Sequence, residues 1–167
     1  MALWRVRAGS MGEYEREMLE ESKIAIGYGE LPDLAQVMTK DEVRDIYTRA
    51  NNESDARRIG KNTDQIFSFR HEIRTGELIV LPLKTLPMAV IGMVMGDYEY
   101  NTSSDFKHQR EVDWGAAMPK SIFSRDMISV LDAPGTVSVI SPDNAASILR
   151  TILTGQAGWL GTTAARM

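Results

Sequence analysis

The sequence contains no cysteine, which excludes disulfides, thiolate metal centres and thiol nucleophiles. Histidine is nearly as scarce, with His71 and His108 alone. Neither has a second histidine three to five residues away, the spacing that sets two imidazoles on one metal. Each is therefore expected to be a surface or edge residue, and no metal is expected. No G-x-S-x-G elbow, G-x-G-x-x-G turn or G-K-[ST] phosphate loop occurs. Acyl transfer and nucleotide hydrolysis thus find no seat, and no cofactor is expected. Long apolar runs are missing too. "MAVIGMVM" at 88–95 falls well short of the roughly 18–20 residues that span a bilayer. The start, "MALWRVRAGSMGEYE", has too short an apolar stretch for a signal peptide, so a soluble cytoplasmic protein is expected. The formal net charge of −4 argues against a generic polyanion binder while leaving room for a local basic face.

What is present suffices for one domain: 167 residues, 43% of them hydrophobic. "LWRVR" (3–7) alternates as a strand, 12–22 reads as a charged helix resting on Tyr14 and Met18, and "KIAIGY" (23–28) is a second strand. Thr39 and Glu42 form a capping-box sequence. The helix they open sets Val43, Ile46, Tyr47 and Ala50 on one stripe. Ser54 is positioned to cap a third segment of helix that carries Ile59, Thr63, Ile66, Phe67 and Ile73. After Gly76 come strands at 77–83, 88–95, 97–101 and 106–114, the last with Phe106, His108, Arg110, Val112 and Trp114 on one face. A helix from Ser124 to Leu131, a Pro134-Gly135 turn, a strand at 136–140 and a helix from Ser141 follow. Early helices and clustered strands predict an α+β domain over 1–154, a small curved sheet or barrel flanked by helices. Residues 155–167 read as a tail or the start of a linker.

Among candidate functional groups, Tyr28 stands out, because it ends a strand between Gly27 and Gly29 and its ring is thereby poorly covered by neighbours. Trp114 and Tyr98 are expected in the core. Asp97, Asp105 and Lys107 mimic the acids and lysine of a metal-dependent nuclease, but Asp105 follows a polar hairpin segment and is expected in a solvated loop. Charge is uneven: residues 11–45 are acidic, whereas Arg57, Arg58, Lys61, Arg70 and Arg74 crowd the third helix. Such a face, set beside an aromatic pocket, can meet phosphates while the pocket takes a base.

Five segments in order, "LWRVRAG", "IAIGYGELPDL", "RIGKNTDQIFSFRHEIRTGELIV", "IGMVMGDYEYN" and "HQREVDW", resemble EVE-like domains of the PUA superfamily. They look most like the N-terminal modules of prokaryotic modification-dependent restriction enzymes of the Mrr and McrB type. The resemblance covers roughly 3–140. It implies a PUA/EVE-like curved mixed sheet or pseudo-barrel, related to the YTH readers of methylated adenine. It further implies a non-catalytic module that reads a methylated or hydroxymethylated base, flipped from double-stranded DNA, for a restriction system in phage defence. The nuclease or motor part is then expected outside this chain. On this resemblance Tyr28, where relatives carry tryptophan, is the stacking wall. Arg7, Ala8, Gly9 and Gly27 line the pocket, Asn62 stands at its mouth and Tyr100 is a second wall. Arg57, Arg58, Lys61 and Arg110 are expected phosphate contacts. Glu30 and Asp33 are near enough to accept bonds from an exocyclic amine. An RNA-binding PUA-like module, or a protein-interaction domain using the acidic surface, are the alternative readings.

Overall fold

A computed structural model describes residues 2–166, with side chains for 2–154. β1 (Leu3–Val6), β2 (Lys23–Ile26), β3 (Leu78–Pro82), β4 (Met88–Val94), β5 (Glu99–Tyr100), β6 (His108–Pro119) and β7 (Val137–Val139) form one sheet. Their order is β2-β6-β4-β3-β1-β7, with β5 paired to the start of β6. β1 and β3 run parallel, Arg5 opposite Val80, and every other pairing is antiparallel. The sheet curls into a half-barrel flanked by helices, the α+β fold that the clustering of elements predicts.

The central strands are buried on both faces, and this is why "LIVLP" lacks polar alternation. Trp4, Val6, Ile79 and Leu81 point into the hollow of the curl, where α1 (Glu15–Glu20), α2 (Lys40–Asn51) and α3 (Ala56–Phe67) close the main core. Leu3 and Val80 point the other way, under α4 (Arg125–Leu131) and α5 (Pro142–Arg166). Gly92 is the hinge of fit in β4. A Cβ there would come within 2.7 Å of the Trp114 ring and of Val112, so only glycine lets the indole lie across the strand. The indole is half-buried against the core and donates to Met18 O (2.9 Å).

Several boundaries differ from the sequence reading for local reasons. Gly9 and Gly12 both take left-handed angles (φ 85° and 77°), so 9–13 is a tight turn and α1 begins only at Glu15. Thr39 caps α2 as expected, accepting from Glu42 N–H at 3.2 Å. In α3 the cap is Asp55, not Ser54, with its carboxylate accepting from Arg57 and Arg58 N–H. A charged acceptor two or three residues from those amides outcompetes the neighbouring hydroxyl. α3 then widens into a π turn at Ser68–Glu72. The expected strand at 97–101 shrinks to β5, and β6 runs on from Trp114 to Pro119. The tail expected at 155–167 lies outside the residues whose side chains are described.

His108 departs from its expected surface position. It is 3% exposed, and its Nε2–H donates to Leu31 O (3.1 Å) while Nδ1 accepts from the Tyr98 hydroxyl (2.7 Å). That hydroxyl in turn accepts Leu34 N–H (2.9 Å). The imidazole satisfies a buried carbonyl and a half-buried tyrosine hydroxyl at once, and burial lowers its pKa below the ordinary histidine value. His71 Nε2 meets Val37 O (2.5 Å), and Arg70 donates to Leu34 O and Ala35 O (2.9 and 2.8 Å). Leu31, Leu34 and Val37 are themselves buried. The irregular segment after Gly29 is therefore strapped along its length to β6 and to the π turn at Ser68–Glu72.

No helix among the described residues is long and apolar enough to cross a membrane.

Candidate nucleic-acid interface

The chain leaves β2 through Gly27 and turns at Tyr28 and Gly29, both left-handed (φ 63° and 82°). A tyrosine rarely takes that angle without support. Here the support is visible. Asn51, in the last turn of α2, donates from Nδ2 to Tyr28 O (2.8 Å) and to Tyr47 O (3.1 Å). The same amide fills the space above Gly29, where a Cβ would lie 2.4 Å from Asn51 Oδ1. The Tyr28 ring meets Tyr47 edge-on, with centroids 6.4 Å apart at 81°. Its hydroxyl donates to Gln65 Oε1 of α3, and burial pushes its pKa upward. The ring is thus half-buried and fixed at backbone, edge and hydroxyl.

The end of β1 comes to the same place. Arg7 N–H donates to Thr136 O (2.9 Å), and Thr136 N–H donates to Gln65 Oε1 (2.9 Å). One glutamine oxygen therefore joins the Tyr28 hydroxyl to the β1–β7 edge. The Arg7 guanidinium is lightly used: Nη2 reaches Ser10 O at 3.5 Å, and the buried Nε–H has no partner. Ala8 supplies its carbonyl to Tyr14 N–H (3.0 Å) while its methyl belongs to the core. Gly9 lies under the Glu13 carboxylate. Gly27 has open space where a Cβ would stand. Asn62 Nδ2 donates to the Tyr47 hydroxyl (2.8 Å), one residue removed from Tyr28.

Tyr100 does not join this group. It pairs with His108 on the opposite side of β6 from Ile26, about 10 Å away by the spacing of two strands. Its ring rests 5.1 Å from the His108 ring. Tyr47 occupies the place expected of it. Tyr47 belongs to the α2 stripe, so the sequence marked it as core and not as a neighbour of Tyr28.

Of the expected phosphate contacts, Arg57, Arg58 and Lys61 are exposed on the first turns of α3. Arg58 is held by Glu53 (3.3 Å), a bond that raises its pKa. Arg57 and Lys61 lie four residues apart on one stripe and make no ion pair among the described residues. Arg110 is a correction. It is 2% exposed and donates to Gly96 O, Phe69 O and Ile73 O (3.0, 3.2 and 2.5 Å). It ties β6 to the π turn and touches no solvent-facing ligand. Arg70 is likewise committed to the strapped segment, over the Tyr98 ring at 5.0 Å. Glu30 is exposed and 3.9 Å from Lys107, and Asp33 accepts Ala35 N–H (2.9 Å). Asp105 is exposed in the turn before β6. Among the described residues no three acidic or histidine side chains gather as a metal site.

A family model described as "Domain of unknown function (DUF8426)" matches residues 4–128, and the chain belongs to that family. The match ends before β7 and α5, so the β7 side of the Gln65 junction lies beyond it. No curated protein matches the chain.

Proposed function

We propose that this protein is a reader of nucleic acid that takes a single modified base against Tyr28, with double-stranded DNA as its polymer and no catalysis of its own. One observation carries the reading. Tyr28 is forced into a left-handed conformation and then immobilised by Asn51, Tyr47 and Gln65 at a strand end. Such strain is retained where a side chain must be held ready for a ligand. A rigid ring loses little entropy when a base stacks on it, and stacking is worth roughly 1–3 kcal/mol per base. That return offsets the few kcal/mol needed to unstack and flip a base. Arg57 and Lys61 supply uncommitted cations for the backbone. Kinship with EVE-like domains, service to a restriction nuclease or motor on another part or chain, and a cytoplasmic setting where DNA is met all belong to this reading.

The test is calorimetric titration with duplexes that are unmodified, methylated or hydroxymethylated, and with matched RNA. A methyl or hydroxymethyl group should change affinity about 10- to 200-fold, the range open to one small group in a fitted pocket. Tyr28→Ala should erase that ratio. Arg57→Glu with Lys61→Glu should weaken all duplexes alike and flatten the salt dependence. Equal affinity for every duplex would sink the proposal, and tighter binding of RNA would move the polymer from DNA to RNA.

A further inference from the structure

The outer side of the sheet carries charge that the fold does not use. Along β6 the alternation turns His108, Arg110 and Val112 into the hollow, where they meet Leu31, the π turn and the main core. Gln109, Glu111 and Asp113 therefore face the opposite way. The register sets Glu99 of β5 beside Gln109, Lys23 of β2 beside Glu111, and Met93 of β4 beside Asp113. Met95 N–H donates to Glu111 O (2.8 Å), so Met95 follows Met93 on this face.

A groove of about 400 Å³ runs over β2, β6 and β5, with Glu21, Lys23, Glu99, Gln109 and Glu111 in its lining. Lys23 is buried and committed to Glu21 (2.6 Å) and Glu17 (3.4 Å). Glu99, Glu111 and Asp113 are exposed and form no ion pair among the described residues. Gln109 is 7% exposed, and its Nε2 is spent on Phe106 O (2.6 Å). A bond to a carbonyl fixes which way that amide points, so what it can offer the groove is an acceptor. Glu99, Gln109 and Glu111 thus leave only acceptors open, two of them like charges that repel. Beside them Met93 and Met95 are 39% and 48% exposed, and adjacent thioethers make an adaptable apolar contact.

The charge calls for a cation, and its layout decides which kind. Among the described residues no three acidic side chains gather closely enough for a metal ion. Glu99 and Glu111 stand diagonally across β5 and β6, about 7–8 Å apart. Alternate residues of an extended chain are about 7 Å apart, so two arginines with one residue between them reach both carboxylates. Each guanidinium offers a planar fork of donors to these acceptors. The next alternate side chain falls beside Met93, where an apolar group fits. We propose that this face of β4, β5 and β6 docks a protein partner through an extended basic segment. Its arginines lie at alternate positions over Glu99 and Glu111, and an apolar side chain follows on Met93 and Met95. Carboxylates repel phosphate, which leaves nucleic acid out as the occupant. The inference stands without the reading of Tyr28, whose ring meets α2 and α3 on the other side of the sheet.

The test is an NMR titration of the full chain at low salt with the peptide Arg-Ser-Arg-Ser-Leu, acetylated and amidated. The Glu99 and Glu111 amides and the Gln109 side-chain amide report the groove, and the Met93 and Met95 methyls report its apolar flank. Saturable shifts at both are expected. Binding should weaken about tenfold when citrulline, a neutral isostere, replaces both arginines. Glu99→Gln combined with Glu111→Gln should weaken it as much, while the melting temperature stays level or rises as the repulsion is relieved. Silence at these groups, or equal affinity for the citrulline peptide or in the double variant, overturns the proposal. Spermidine that displaces the peptide at equal concentration overturns it too, since the groove would then take any polycation. The same shifts from a short DNA duplex would pass the face to nucleic acid and equally end the proposal.

Discussion

Arg110 and Arg5 are both buried guanidiniums, both donate to carbonyl oxygens, and neither meets a carboxylate among the described residues. Burial lowers the pKa of each. Their surroundings part them. The acceptors of Arg110 at Phe69 and Ile73 lie inside the protein, at the π turn. The carbonyl acceptors of Arg5 lie on a surface turn, where Pro134 is exposed. A buried cation thus ties core to core, or a strand to a surface turn, according to where its acceptors lie and not according to its own burial.

That contrast can be attacked by substitution. Arg110→Met keeps volume but strips two buried carbonyls of their donor, each costing about 1–3 kcal/mol. Denaturant unfolding should therefore show a loss of about 2–6 kcal/mol, and a loss below about 1 kcal/mol would make Arg110 no tie at all. Arg5→Met should cost about 1–2 kcal/mol, since water reaches the carbonyls it leaves. His108, two residues before Arg110 on the same face, gives a proton-sensitive version of the tie. Its pKa in the fold lies below the ordinary value of 6.5, so the unfolded chain binds the proton first. Stability should hold above that value and decline as pH falls from 6.5 toward the folded value. In His108→Gln this histidine's share of the decline should vanish; an unchanged pH profile would remove the buried imidazole from the account. The smallest effect belongs to Ser138→Ala, which takes one acceptor from Arg5. Melting should register about 0.5–1.5 kcal/mol.

Much of this arrangement was legible in the chain. The α2 stripe of Val43, Ile46, Tyr47 and Ala50, the cap at Thr39 and the all-apolar "LIVLP" each state their role through spacing alone. Arg110 was misread although the clue was present. The alternation that puts it on one face with Val112 already pointed it inward, and its charge obscured that. Gln65 left no such mark. Its neighbours Thr63 and Ile66 are buried, and one glutamine among them looks like an ordinary helix residue. Its bonding pattern exists only because β2 and the start of β7, more than a hundred residues apart, end beside the same turn of α3. Asn51 is hidden for the same reason, since the strained backbone it supports belongs to another element.

The strapped segment after Gly29 has a kinetic meaning. It contains no helix and no strand between Leu31 and Val37, so by secondary structure it ranks with the surface loops. Yet the Leu34 amide is spent on the Tyr98 hydroxyl, and the carbonyls of Leu31, Leu34, Ala35 and Val37 are held by His108, Arg70 and His71. Such a stretch opens only when several side chains let go together. The Leu34 amide should therefore exchange with deuterium about as slowly as the amides of β3, and a protease should pass over the segment despite its exposed Pro32 and Asp33.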